Sequence, residues 1–132
     1  MLQNLLVIHQ WTGYLVSVVV LVVAFVAFGR AKDAREFEPG LYRAAFALLT
    51  LQVVLGLVLY GVGGYWEEVH GPLITYVHPL LALLALGVGQ MLLGRARRTQ
   101  MAVDAHRLAG RGLLTSFILV LAAIGVASWP TG

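Results

Sequence analysis

The sequence predicts an all-α integral membrane four-helix bundle with both termini on the non-cytoplasmic side, and three observations carry this. Of 132 residues, 60% are apolar and 11% charged, against about a quarter charged in a soluble domain. The apolar residues gather into four runs, each long enough to cross a hydrocarbon core of about 30 Å. All nine lysines and arginines fall in or beside the first and third connections between those runs. One transmembrane domain over residues 1–132 accounts for the chain, with short connections and no room for a separate soluble unit.

The first helix is predicted over residues 5–28. These 24 residues carry no charge and extend roughly 36 Å at 1.5 Å per residue, enough to span with some tilt. No basic segment precedes the run and no small-residue cleavage site follows it, so a permanent span is expected here and not a removable signal peptide. Gly29 to Gly40 form a charged connection, and Pro39-Gly40 is a turn signal that releases the chain into a second helix over 41–60. Gly61-Val62-Gly63-Gly64 ends that helix, because glycine tolerates the backbone angles of a helix terminus. The next connection, Tyr65 to Gly71, holds acids and aromatics but no lysine or arginine.

A third helix is predicted over 73–94. Pro79 follows His78 directly and removes a backbone donor, which either kinks the helix at His78 or makes Pro79 its regular start. The basic cluster Arg95-Ala96-Arg97-Arg98 closes the span. Asp104 is the candidate N-cap of a fourth helix over 105–129, with Pro130 as its stop. The positive-inside rule places the basic side in the cytoplasm. Trp11, Trp66 and Trp129, with Tyr14, Tyr60, Tyr65 and Tyr76, then form an aromatic belt at the outer interface. The expected location is a bacterial or archaeal cytoplasmic membrane, with lipid as the surrounding partner.

Composition also removes function classes. Cysteine is absent, which excludes disulfides, thiolate metal sites and covalent haem attachment. The net charge of +3 belongs to helix ends and not to a basic soluble face, so no nucleic-acid partner is expected. No Ser-His-Asp pattern, phosphate-binding glycine loop or intramembrane carboxylate pair is present, and hydrolytic or phosphoryl-transfer chemistry has no residues to run on.

What remains is two histidines within apolar runs. His9 lies about 6 Å and His78 about 7.5 Å inside their predicted helices, which run in the same direction. They therefore share a level. A haem needs two axial nitrogens on opposite sides of one iron, and facing helices of a bundle supply them when their levels match. The alternative is a pair of interhelical hydrogen-bond donors, or polar groups lining a wet pocket. The face of His9 continues through Thr12, Gly13, Ser17, Ala24 and Ala27, small residues that admit either a macrocycle or another helix. Gln52 and Gly56 stand within the second helix, with the amide about 13 Å below the outer end. There it serves as interhelical glue or as a cofactor contact. His70 is a loop residue, solvated or beside a cofactor's propionates. His106 begins the fourth helix on the cytoplasmic side and is expected at the interface, its neighbours Arg107 and Arg111 facing anionic lipid.

On these residues the chain resembles one four-helix half of the haem A synthase family, whose members are built from two related four-helix bundles. The common features are His9 opening one span, Gln52-Val53-Val54-Leu55-Gly56 in the next, and His78 opening the third. His106-Arg107 is similar to the family's His-Arg helix start, on the opposite side of this membrane. The resemblance implies that His9 and His78 ligate haem iron. Glutamine follows His9 where arginine is usual, no Glu-x-x-His precedes the first helix, and the loop cysteines of many members are missing. These differences bear on hydroxylating activity and leave the haem-contact residues in place.

The sequence thus predicts non-covalent haem b held by His9 and His78, with Gly13, Gln52, Gly56 and His70 contributing to its site. The corresponding activity is membrane electron transfer or haem handling. A quinone or cytochrome is the matching redox partner, and a homodimer or larger respiratory complex the matching assembly. Two alternatives stand beside it. One is a cofactor-free accessory subunit or assembly factor of a respiratory membrane complex; the other is a dimeric haem-modifying or quinone-linked oxidoreductase.

Overall fold

The computed structural model describes residues 1–129. It contains four long helices: α1 (Leu2–Lys32), α2 (Gly40–Val62), α3 (His78–Arg97) and α4 (Ala102–Ser128). A 3₁₀ turn at Glu68–His70 and a π-helical turn at Leu73–Val77 precede α3. With the π turn included in the third, all four are long and apolar enough to cross a membrane. Most helices extend beyond their predicted bounds because charged residues at the ends, such as Arg30 and Lys32, continue the backbone ladder past the apolar run. Asp104 is not the cap of α4. Met101 takes the extended cap conformation, and Asp104 sits in the first turn. Pro130, the predicted stop, lies outside the described residues.

Each helix packs on its neighbours in the order α1, α2, α3, α4 and back to α1, so α1 and α3 face each other across the bundle. The closest seam is α3 with α4. There Gly112 faces Gly89, and a Cβ added at Gly112 would stand 3.3 Å from the Gly89 carbonyl oxygen. The Ser116 hydroxyl donates to the Ala85 carbonyl at 2.7 Å. Small residues and a buried hydroxyl let two backbones meet where lipid supplies no hydrophobic drive between helices. Ser17, Ala24 and Ala27 of α1 are buried, so this part of the small-residue stripe serves helix packing.

His106 occupies a position the sequence misjudged. It is 0% exposed, and not an interfacial residue. The Tyr42 hydroxyl donates to Nδ1 at 2.6 Å, while Nε2–H donates to the carbonyls of Arg35 at 3.0 Å and Glu36 at 3.2 Å. Phe37 covers the ring at a centroid distance of 5.1 Å. His106 thereby clamps the α1–α2 connection onto α4, with every polar atom of the ring satisfied. Its role is structural, at the basic end of the bundle.

Candidate functional site

At the other end lies a cavity of about 340 Å³, lined from all four helices and the second connection. Its size falls at the low end of the range of about 300–1,000 Å³ typical of small-molecule sites. His9, Gly13, Gln52, Gly56 and His78 all line it. Ala127 and Ser128, at the end of α4, line it too, so both ends of the described chain lie on this side of the bundle.

The rings of His9 and His78 stand side by side in a T-shaped arrangement, with centroids 6.2 Å apart and planes at 87°. At this separation two ring nitrogens stand no closer than about 4 Å, so the two imidazoles do not hydrogen-bond to each other directly. Nδ1–H of His78 donates to the Ala123 carbonyl of α4 at 2.8 Å. That bond turns the ring and leaves Nε2 as a lone pair, the arrangement that supporting groups impose on metal-ligating histidines.

His9 is held from α2. Its backbone oxygen lies 2.7 Å and its Nδ1 3.0 Å from the Gln52 side-chain nitrogen. The Gln52 oxygen is 2.6 Å from the Thr12 hydroxyl. The two glycines make this possible. A Cβ at Gly56 would come within 2.9 Å of His9 Cε1, and one at Gly13 within 3.1 Å of the Gln52 nitrogen. Gly13 and Gly56 therefore clear space for the side chains of the site as well as lining its wall. Gln52 acts as glue between α1 and α2 through the histidine itself.

His70 does not line the cavity. It ends the 3₁₀ turn and stacks on Tyr65 at 4.6 Å, and Tyr65 forms the wall. This connection is tied down by Thr75, which is 1% exposed and whose hydroxyl lies 3.0 Å from the Tyr65 carbonyl and 3.3 Å from that of Glu67. The Tyr60 hydroxyl donates to the Thr75 carbonyl at 2.9 Å. Thr75 belongs to the π turn, which runs directly into His78. The irregularity predicted around Pro79 is thus a π turn before it, a local form often found at functional sites.

Sequence reading missed the Ala123 carbonyl and the Thr75 anchor. Thr12 and Thr75 were visible as hydroxyls near the histidines. The Ala123 carbonyl had no signal, since every residue carries one. Among the described residues no group of three or more His, Asp or Glu side chains converges as a metal site; the donor set here is two imidazoles. No protein-family model, curated protein or solved structure matches the chain.

Proposed function

We propose that this chain is a membrane protein that binds haem b non-covalently between His9 and His78, and that it serves electron transfer or haem handling. The observation that carries the reading is the 6.2 Å separation of the two rings, joined to a cavity of apolar and small residues. When bound, the haem supplies one-electron chemistry at iron, with a potential set by ligands, hydrogen bonds and burial. The residues' own part would be to present two imidazoles to one cavity, to hold His78 through Ala123, and to line the cavity with Gly56, Ala82 and Val120. The resemblance to one half of the haem A synthase family points the same way. By the positive-inside rule the His106 end lies in the cytoplasm and the site near the outer face of a bacterial or archaeal cytoplasmic membrane. A quinone or cytochrome partner would meet it there, in a homodimer or a larger respiratory assembly.

The test is purification in mild detergent from cells supplied with haem, followed by oxidised and dithionite-reduced absorption spectra. Sharp low-spin α and β bands on reduction are expected. A folded, colourless protein that takes up no added haem overturns the reading.

One observation favours a second reading, a cofactor-free accessory subunit or assembly factor. Among the described residues, every fully buried side-chain nitrogen and oxygen already has a hydrogen-bond partner, so no orphaned buried polar group calls for a ligand. Colourless protein that leaves the membrane only with larger partners would support it.

A further inference from the structure

The two histidines are held in opposite senses. A carbonyl oxygen only accepts, so the contact of His78 Nδ1 with Ala123 leaves the lone pair on Nε2. His9 is the reverse. The Gln52 atom 2.7 Å from the His9 backbone oxygen is the amide nitrogen, which donates to that carbonyl in the arrangement the structure shows. The same NH₂ group lies 3.0 Å from Nδ1 of His9, which therefore accepts. A neutral His9 then carries its proton on Nε2, and that ring offers the cavity a donor with no lone pair for a metal.

The neighbouring groups provide an alternative of nearly equal quality. The Thr12 hydroxyl oxygen stands 2.6 Å from the Gln52 oxygen and 2.6 Å from the Ile8 carbonyl, and its single proton serves only one of them. With the amide as it stands, Thr12 donates to Gln52 and its oxygen is left against that of Ile8. If the amide turns over, its NH₂ donates to Thr12, Thr12 donates to Ile8, and Nδ1–H of His9 donates to the Gln52 oxygen. The mismatched contact then moves to the His9 carbonyl. Each arrangement makes three hydrogen bonds and leaves one short oxygen–oxygen contact, besides the 3.2 Å contact of the Thr12 hydroxyl with the His9 carbonyl that is common to both. Gly13, with no Cβ beside the amide, leaves room for the turn.

We infer that Gln52 and Thr12 form a two-state positioning relay for His9, in which turning the Gln52 amide converts this ring from hydrogen-bond donor to metal ligand. Nε2 gives its proton to solvent water and Nδ1 takes one from solvent water, so the ring is neutral at both ends of the exchange. The inference rests on the haem reading and sharpens it. His78 is the standing ligand and His9 the exchangeable one, so a small neutral ligand such as carbon monoxide competes for iron on the His9 side.

Nitrogen-15 NMR of histidine-labelled, haem-free protein, at about pH 8 where an unperturbed imidazole is neutral, reads both tautomers. The expected result is a proton on Nε2 of His9 and on Nδ1 of His78. In Gln52→Glu, whose carboxylate only accepts, the His9 proton moves to Nδ1. The same tautomer on both rings of the wild-type protein overturns the relay, and this readout needs no variant to fold. In reduced, haem-loaded protein, Gln52→Glu holds His9 in its ligand form and weakens carbon monoxide affinity by about tenfold; an unchanged affinity overturns the assignment of the exchangeable side. The expected tautomers in a protein that takes up no haem uphold the relay and overturn the haem reading, so the two failures are distinct.

Discussion

The ring of His78 is anchored across the α3–α4 seam by a 2.8 Å hydrogen bond from its Nδ1 to the carbonyl of Ala123. That bond crosses between the two most closely packed helices, so the ring's orientation is set by that seam. His9, by contrast, is oriented by the Gln52 side chain, whose amide can turn. The two candidate ligands differ in how firmly they are held, and the first expectations follow from that difference.

His78→Ala is expected to abolish haem uptake. His9→Ala is expected to lose the six-coordinate spectrum and to retain at most weak, high-spin binding through His78. His106→Ala leaves the spectrum of any bound haem unchanged, because that ring is at the other end of the bundle. Absorption spectra of the three variants in one detergent check all of this, and a six-coordinate spectrum in either of the first two sinks the ligand assignment.

Gly56→Ala brings a methyl group within 2.9 Å of His9 Cε1, closer than two carbons pack. The imidazole must move, and a ligand misplaced on its axis binds less well. Haem affinity is expected to fall by about tenfold, in line with changes to groups that orient ligands, with the helical circular dichroism unchanged. A haem titration measures it.

Thr75→Val keeps the volume and removes the hydroxyl that holds the carbonyls of Tyr65 and Glu67. The second connection then loses its tie to the π turn before His78. Haem transfer to an excess of a soluble haem acceptor should speed up severalfold, while the equilibrium spectrum keeps its shape.

His106→Leu leaves the Tyr42 hydroxyl and the carbonyls of Arg35 and Glu36 without their buried partner. An unsatisfied buried group costs about 1–3 kcal/mol, so a lower thermal midpoint in detergent is expected. Tyr42→Phe removes only the hydroxyl and should cost less. Equal midpoints for His106→Leu and the wild type would show that the clamp is not a source of stability.

Gly89→Val drives a branched side chain into Phe46 and Ser116 at the α3–α4 seam. Overpacking of this kind costs about 1–3 kcal/mol. It should also disturb the Ser116 bond to Ala85 and, about two helix turns further on, the anchoring of His78. Reduced thermal stability together with reduced haem uptake is the expected pair of results.

Much of this arrangement was legible in the chain. Hydropathy marked four spans, since in lipid a helix must satisfy its own backbone and a run of about 20 apolar residues says so locally. His9, His78, Gln52 and Gly56 stood out as polar or minimal residues within those runs, and all four line one cavity. His106 was misread because its place at the start of the fourth helix, beside Arg107 and Arg111, suggested an interface. Nothing in its neighbours announced that the backbone of residues 35 and 36 would fold over it.

The sequence by itself determined the helices, their number and the level at which two histidines stand, because these depend on patterns confined to one segment at a time. Only the tertiary structure decided which nitrogen of each histidine is free. That choice belongs to a carbonyl on α4 and an amide on α2, groups 45 and 43 residues distant in the chain. Hydrogen-bond partners of that kind have no local signature, since any residue's carbonyl can serve and only packing brings one within reach.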